Sequence, residues 1–125
     1  MKKEETILNP KIKGEVELEK INFKQYNGYE GIIQGYEFKQ HNEYGLYVII
    51  KTLPIAKDEK TKKEIFASRV LGLVELEDGT FGWGSESATS RFMKKYDATT
   101  FDDLIGKKVI VNFEISKSGK EVLTF

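Results

Sequence analysis

The chain contains no cysteine. This excludes a disulfide framework, a cysteine-based zinc site and a thiol nucleophile, and it fits a reducing cytosol. Histidine occurs once, as His41, so there is no histidine pair to hold a metal and no visible Ser-His-Asp arrangement. The glycines follow neither the dinucleotide-binding nor the P-loop order. No apolar run approaches the length needed to cross a bilayer. The first residues, MKKEETILNPKIKG, begin basic but lead into no apolar core, unlike a signal peptide. A cytoplasmic protein without catalytic residues, metal or cofactor is the expectation. A charge excess is also missing, since 20 basic residues balance 20 acidic ones. Net charge describes the average field and not the local one, so a basic groove between acidic faces remains compatible with it. Heavy use of Lys and Glu beside only two Met is a mild thermophile-like bias.

What is present is a chain of 125 residues, the usual size of one domain. Residues 1–125 read as a single domain, with 1–13 as a flexible N-terminal segment. From Glu15 the apolar residues alternate, then slip phase before Ile21 and Phe23, which predicts a strand with a bulge. Asn27-Gly28 is a turn signal. A second strand is predicted over Ile32 to Lys39, a hairpin tip over His41 to Gly45, and a third strand over Leu46 to Leu53, closed by Pro54. The charge run Lys57 to Lys63 reads as a solvated loop. Glu64 to Leu76 reads as one long fourth strand, and Asp78-Gly79 as a further hairpin turn.

Ser85 or Ser87 can cap a helix, after which Ala88, Phe92, Met93 and Tyr96 fall at helical spacing. Lys94 and Lys95 sit in its last turn, where they complement the helix dipole. Thr99 or Thr100 caps a shorter turn through Asp102, Asp103 and Leu104, and Gly106 ends it. Lys107 to Ile115 alternates as a strand, and Ser118-Gly119 turns into a last one. The expected fold is mainly β: a small antiparallel barrel of about six strands, OB-like, with one principal helix near residues 86–96.

Aromatic residues are interleaved with basic and amide ones, as in Phe23-Lys24-Gln25-Tyr26 and Phe38-Lys39-Gln40. Such pairings bind single-stranded nucleic acid, because bases stack on exposed rings while Lys and Arg follow the phosphates. Tyr26, Tyr36, Phe38, Tyr47 and Trp83 are the stacking candidates, and Lys24, Lys39, Lys51 and Arg69 the phosphate candidates. Each ring is equally a good strand residue. His41 reads as an exposed loop residue, Asp102-Asp103 as helix N-terminal charge, and Glu75, Glu77 and Asp78 as a hairpin flank.

The segment from Ser87 to Val111 resembles a pattern of small phage and archaeal-virus proteins. Its elements are a Ser/Thr-capped helix (Ser87), an aromatic near its end (Tyr96), a Thr-x-Asp-Asp-type turn (Thr100, Asp102, Asp103), and Leu104-Ile105-Gly106-Lys107-Lys108-Val109 leading a strand. The resemblance covers about a fifth of the chain. It implies a single-stranded DNA-binding protein of the OB type. The chain departs from that type in two ways: a strand is predicted up to Phe125 where single-strand-binding proteins of the bacterial kind carry an acidic tail, and its helix follows four predicted strands rather than three. The expected function is non-enzymatic binding of single-stranded DNA, or RNA, with self-association into a homo-oligomer compatible with it and no membrane partner. The rival is a structural or protein-interaction module, such as a virion or assembly component, using the same aromatic surface.

Overall fold

In the computed structural model, which describes residues 9–16 and 20–125, one long strand organises the chain. This is β1 (Glu30–His41). It folds back through the tip at His41 to Gly45 onto β2 (Gly45–Thr52). The turn needs Gly45, whose φ of 79° lies in the left-handed region that side chains disfavour. His41 secures the tip, its Nδ1 accepting from the backbone N–H groups of Glu43 and Tyr44. β5 (Ser68–Gly72) lies antiparallel on the outer side of β2, and β8 (Lys108–Ile110) on the far side of β1, giving the order β5-β2-β1-β8.

Three two-stranded sheets complete the sheet structure of the described residues: β3 (Ala56–Lys57) with β4 (Glu64–Ile65), β6 (Val74–Glu75) with β7 (Phe81–Gly82), and β9 (Asn112–Ile115) with β10 (Glu121–Thr124). The helix α1 (Ala88–Lys95) starts at Ser87, whose hydroxyl accepts from Ser90 N–H, and buries Phe92 and Met93. These pack with Ile33, Val48, Ile50 and Leu71 of the central sheet and with Leu104, Val109 and Leu123 in one core. Gly31 fits closely where β1 passes through that core: a Cβ there would stand 3.1 Å from Thr52 Cγ2 and 3.3 Å from Val109 Cγ2, so both side chains would have to give way.

The expected closed barrel does not form. The four sheets are open, and the likeness to OB-type single-stranded DNA-binding proteins does not extend to this architecture. Two breaks in the chain account for it. The expected single strand from Glu64 to Leu76 is split into β4, β5 and β6, so it cannot serve as one continuous wall. The alternating run after Lys107 changes partner at Val111. Up to that residue the chain bonds to β1 and its approach, with Val111 N–H on Tyr29 O and Val111 O accepting from Gly28 N–H. From Asn112 it pairs with β10 instead. At the opposite edge, β5 meets the end of the chain through the Arg69 guanidinium on the Phe125 carbonyl at 3.4 Å, which is a side-chain contact and not a ladder that closes a sheet.

The expected first strand is also different. Residues 17–19 lie outside the described residues, as do 1–8 of the expected N-terminal segment. Phe23–Tyr26 is a 3-10 turn rather than strand. The bulge found in the described chain sits later, within β1.

Candidate aromatic and basic surfaces

The pairing of β1 with β2 runs Ile33↔Thr52 and then Gly35↔Lys51, so Gln34 is an extra residue without an opposite partner. Side chains alternate across a strand, and one extra residue exchanges the two faces beyond it. Before the bulge, Gly31 and Ile33 are buried. Beyond it, Tyr36 and Phe38 stand opposite Ile50 and Val48 and so share the core side of the sheet with them. Glu37 and Lys39 project from the outer side, opposite Ile49 and Tyr47.

On the core side, Tyr36 and Phe38 extend past the packed interior into a cleft of about 590 Å³. Phe101 is its hub. Its ring centroid lies 5.6 Å from Tyr36, 5.7 Å from Phe38 and 5.4 Å from Trp83, and Tyr36 and Phe38 are 5.5 Å apart. Leu46, Leu73 and Phe81 extend the apolar wall, while Thr99, Thr100 and Asp102 form a polar end. Among the described residues no Lys, Arg or His lines the cleft. Phe38 is 49% exposed and Phe81 46%, so rings remain accessible within it.

Two local devices position these residues. The hairpin of β6 and β7 presents Phe81 and Trp83, and its turn is held by Asp78, whose carboxylate accepts from the N–H and hydroxyl of Thr80. Those two bonds lower the Asp78 pKa. The 3-10 turn Phe101–Leu104 carries a reciprocal cap: Thr100 Oγ accepts from Asp103 N–H, and Asp103 reaches back to the N–H of Thr100. The same carboxylate takes the N–H and hydroxyl of Thr99. The backbone donors of Thr100 and Thr99, with the Thr99 hydroxyl, hold the Asp103 pKa down at about 2. Next to it, Asp102 Oδ1 accepts the Tyr36 hydroxyl at 2.7 Å. That bond, followed by burial and the carboxylate charge, raises the Tyr36 pKa, so the phenol stays a donor.

On the outer side of the sheet a second surface forms. Lys39 is paired with Tyr47, Tyr47 with Gly72, Ile49 with Val70, and Lys51 with Gly35 and Ser68. The glycines beside Tyr47 and Lys51 leave their flanks open, with nothing within 4 Å of a Cβ built on either. Lys51 Nζ stands 4.5 Å from the Phe66 ring centroid. Lys39 lies 3.7 Å from Glu37, in an exposed contact that contributes little by itself.

The sequence-predicted residues therefore divide. Tyr36, Phe38 and Trp83 meet in the cleft. Lys39, Tyr47 and Lys51 share the outer face. The others lie elsewhere. Tyr26 is 5% exposed, a core ring whose hydroxyl donates to Asp58, and burial followed by the Asp58 charge raises its pKa. Lys24 is exposed on the 3-10 turn Phe23–Tyr26. Arg69 is half-buried on β5 and lines a separate concavity with Arg91, Lys95 and Asn112.

Sequence reasoning missed Phe101 and the part played by Asp102. The signal was the capping pattern itself: a ring in the first position after a Thr cap is held by the cap's geometry and turned toward whatever the turn packs on. No protein family, no curated protein and no solved structure matches the chain, so these two surfaces are read from their own residues.

Proposed function

We propose that the protein binds single-stranded nucleic acid and has no catalytic activity. The observation that carries this reading is the arrangement about the β1–β2 hairpin. Its outer face interleaves Lys39, Tyr47 and Lys51 beside Phe66, and its other face opens into the ring cluster of Tyr36, Phe38 and Trp83. Bases stack on rings of any sequence context, and lysines follow the phosphates. The pairing of β8 with β1 covers Glu30 to Ile32, and among the described residues no strand pairs with that edge of β1 beyond the bulge. A strand lying along that edge has phosphate contacts on one side and stacking surfaces on the other.

Fluorescence anisotropy of a labelled single-stranded oligonucleotide tests the reading. Binding at micromolar protein in low salt is expected, weakening as salt rises because phosphate contacts release counterions. Absence of binding under those conditions ends the proposal.

A second reading is favoured by one feature: among the described residues no cation lines the cleft. Apolar side chains of a protein partner would suit its walls, since aromatic residues are enriched at protein interfaces. Copurification of a polypeptide, with no oligonucleotide binding, would select that reading.

A further inference from the structure

The cleft has a chemical polarity that stacking alone does not use. Its walls are rings and leucines, and among the described residues the one charged side chain lining it is the Asp102 carboxylate. A phosphate is repelled there, whereas a planar base is accommodated between the walls with its edge directed at the polar end. Asp102 Oδ1 holds the Tyr36 hydroxyl, and among the described residues no basic side chain bridges this carboxylate. Oδ2 is therefore open to a donor, as is the second lone pair of Oδ1. Beside it, Thr100 Oγ accepts from Asp103 N–H and its hydroxyl bonds back to the Asp103 carboxylate, so the donor-accepting group at this end of the cleft is Asp102.

We infer that the cleft is a base-reading pocket selective for guanine, with Asp102 accepting from N1–H and N2–H. The selection follows from the edges of the bases. A carboxylate accepts and cannot donate, and its two oxygens suit two adjacent donors. Guanine alone offers two adjacent donors on its Watson–Crick edge. Adenine and cytosine each place one amino group beside a ring acceptor, and thymine and uracil flank their single N–H with two carbonyls. Each of those arrangements directs a lone pair at the carboxylate. The tyrosine bond fixes Asp102 before the base arrives, so the acceptor is already oriented.

This inference rests on the single-strand reading, and two assays separate their failures. In the first, oligothymidylate strands carrying one central dG, dA, dC or dT are compared by anisotropy; a single guanine avoids self-assembly of guanine runs. The dG strand is expected to bind about tenfold more tightly than the dT strand, in the range of a good two-bond base contact, and Asp102→Asn should reduce that ratio to near unity. Equal binding of the four strands, or a guanine preference that survives Asp102→Asn, overturns the inference while leaving strand binding intact. The second assay needs no strand. Trp83 is the only tryptophan in the chain and lines the cleft, so its fluorescence reports occupancy. Guanosine monophosphate should quench it more than thymidine monophosphate does, and Asp102→Asn should remove the difference. Guanosine quenching without any strand binding sustains the pocket and rejects the single-strand reading. No difference between the nucleotides overturns the pocket.

Discussion

The Tyr36 hydroxyl donates to Asp102 across 2.7 Å and 66 positions of sequence. It joins the strand just beyond the Gln34 bulge to the 3-10 turn that carries Phe101, and the cleft exists because these two elements are joined. Tyr36→Phe removes the donor but keeps the ring. The expected result is a Tm lower by a few degrees, together with a change in Trp83 emission as Phe101 loosens. Asp102→Ala should do the same, and the double variant should be no worse than the larger single one, because both remove one interaction. Additive losses in thermal unfolding would show that the two side chains act separately.

Phe101 touches three other rings. Truncating a fully buried Phe to Ala costs about 3–5 kcal/mol. Phe101 is half-buried, so Phe101→Ala should cost roughly 2 kcal/mol, read from the urea midpoint, with Trp83 emission shifted to the red as water enters. An unchanged Trp83 spectrum would mean that Phe101 does not cover it.

Gln34 is the extra residue in the ladder of β1 with β2. β2 runs on without a break, with Thr52, Lys51 and Ile50 opposite Ile33, Gly35 and Tyr36, so deleting Gln34 leaves a regular ladder with Tyr36 and Phe38 still on the core side. The deletion variant should therefore keep the Trp83 emission and a urea midpoint near that of the parent. Deleting Glu37 instead, where the ladder is already regular, sends Phe38 to the outer face and turns Lys39 toward the cleft, and should unfold at lower urea. Equal midpoints for the two deletions would contradict this register.

Much of this architecture was legible in the residues, and the failures have physical causes. The β1–β2 hairpin, the Ser87 cap, the Thr100 cap and the Gly79, Gly106 and Gly119 turns all depend on local backbone chemistry, which short sequence signals carry. Closure of a barrel depends on which strand edges meet. That is settled by breaks at single residues such as Val111, where apolar alternation continues in sequence while the hydrogen-bond partner changes. The site shows the same division. Tyr36, Phe38 and Trp83 were identifiable as rings, but the face that Tyr36 and Phe38 occupy is set by Gln34, a bulge with no marker in its sequence, and Trp83 is brought to them by a separate hairpin. The phase slip before Ile21 borders residues 17–19, which lie outside the described residues, and it gave no guide to Gln34.

Asp103 makes the turn sensitive to acid. Its pKa is held at about 2, below the ordinary 3.8, so folding favours its charged form. The stabilisation is complete above the unfolded value and is lost as pH falls through the folded one. Urea midpoints should thus decline between about pH 4 and pH 2. Asp103→Asn, which cannot titrate, should flatten part of that decline while lowering stability at neutral pH. Parallel curves for the two proteins would assign the acid sensitivity to other carboxylates.

The outer face can be separated from the cleft by salt. Binding to single strands weakens with a slope of about 0.7 per phosphate contact in a plot of log affinity against log salt. If Lys39 and Lys51 each meet one phosphate, Lys39→Ala and Lys51→Ala should each reduce the slope by about 0.7. Tyr47→Ala should leave the slope alone and weaken binding at every salt concentration, by about 1–3 kcal/mol if a base stacks on it. The contrast is diagnostic because a lost stacking contact releases no counterion, while a lost lysine contact does. Lys24, on the 3-10 turn Phe23–Tyr26, serves as the comparison. Lys24→Ala should change neither slope nor affinity if the strand follows the β1 edge, and a slope reduced by Lys24→Ala but not by Lys39→Ala or Lys51→Ala would move the phosphate path to that turn.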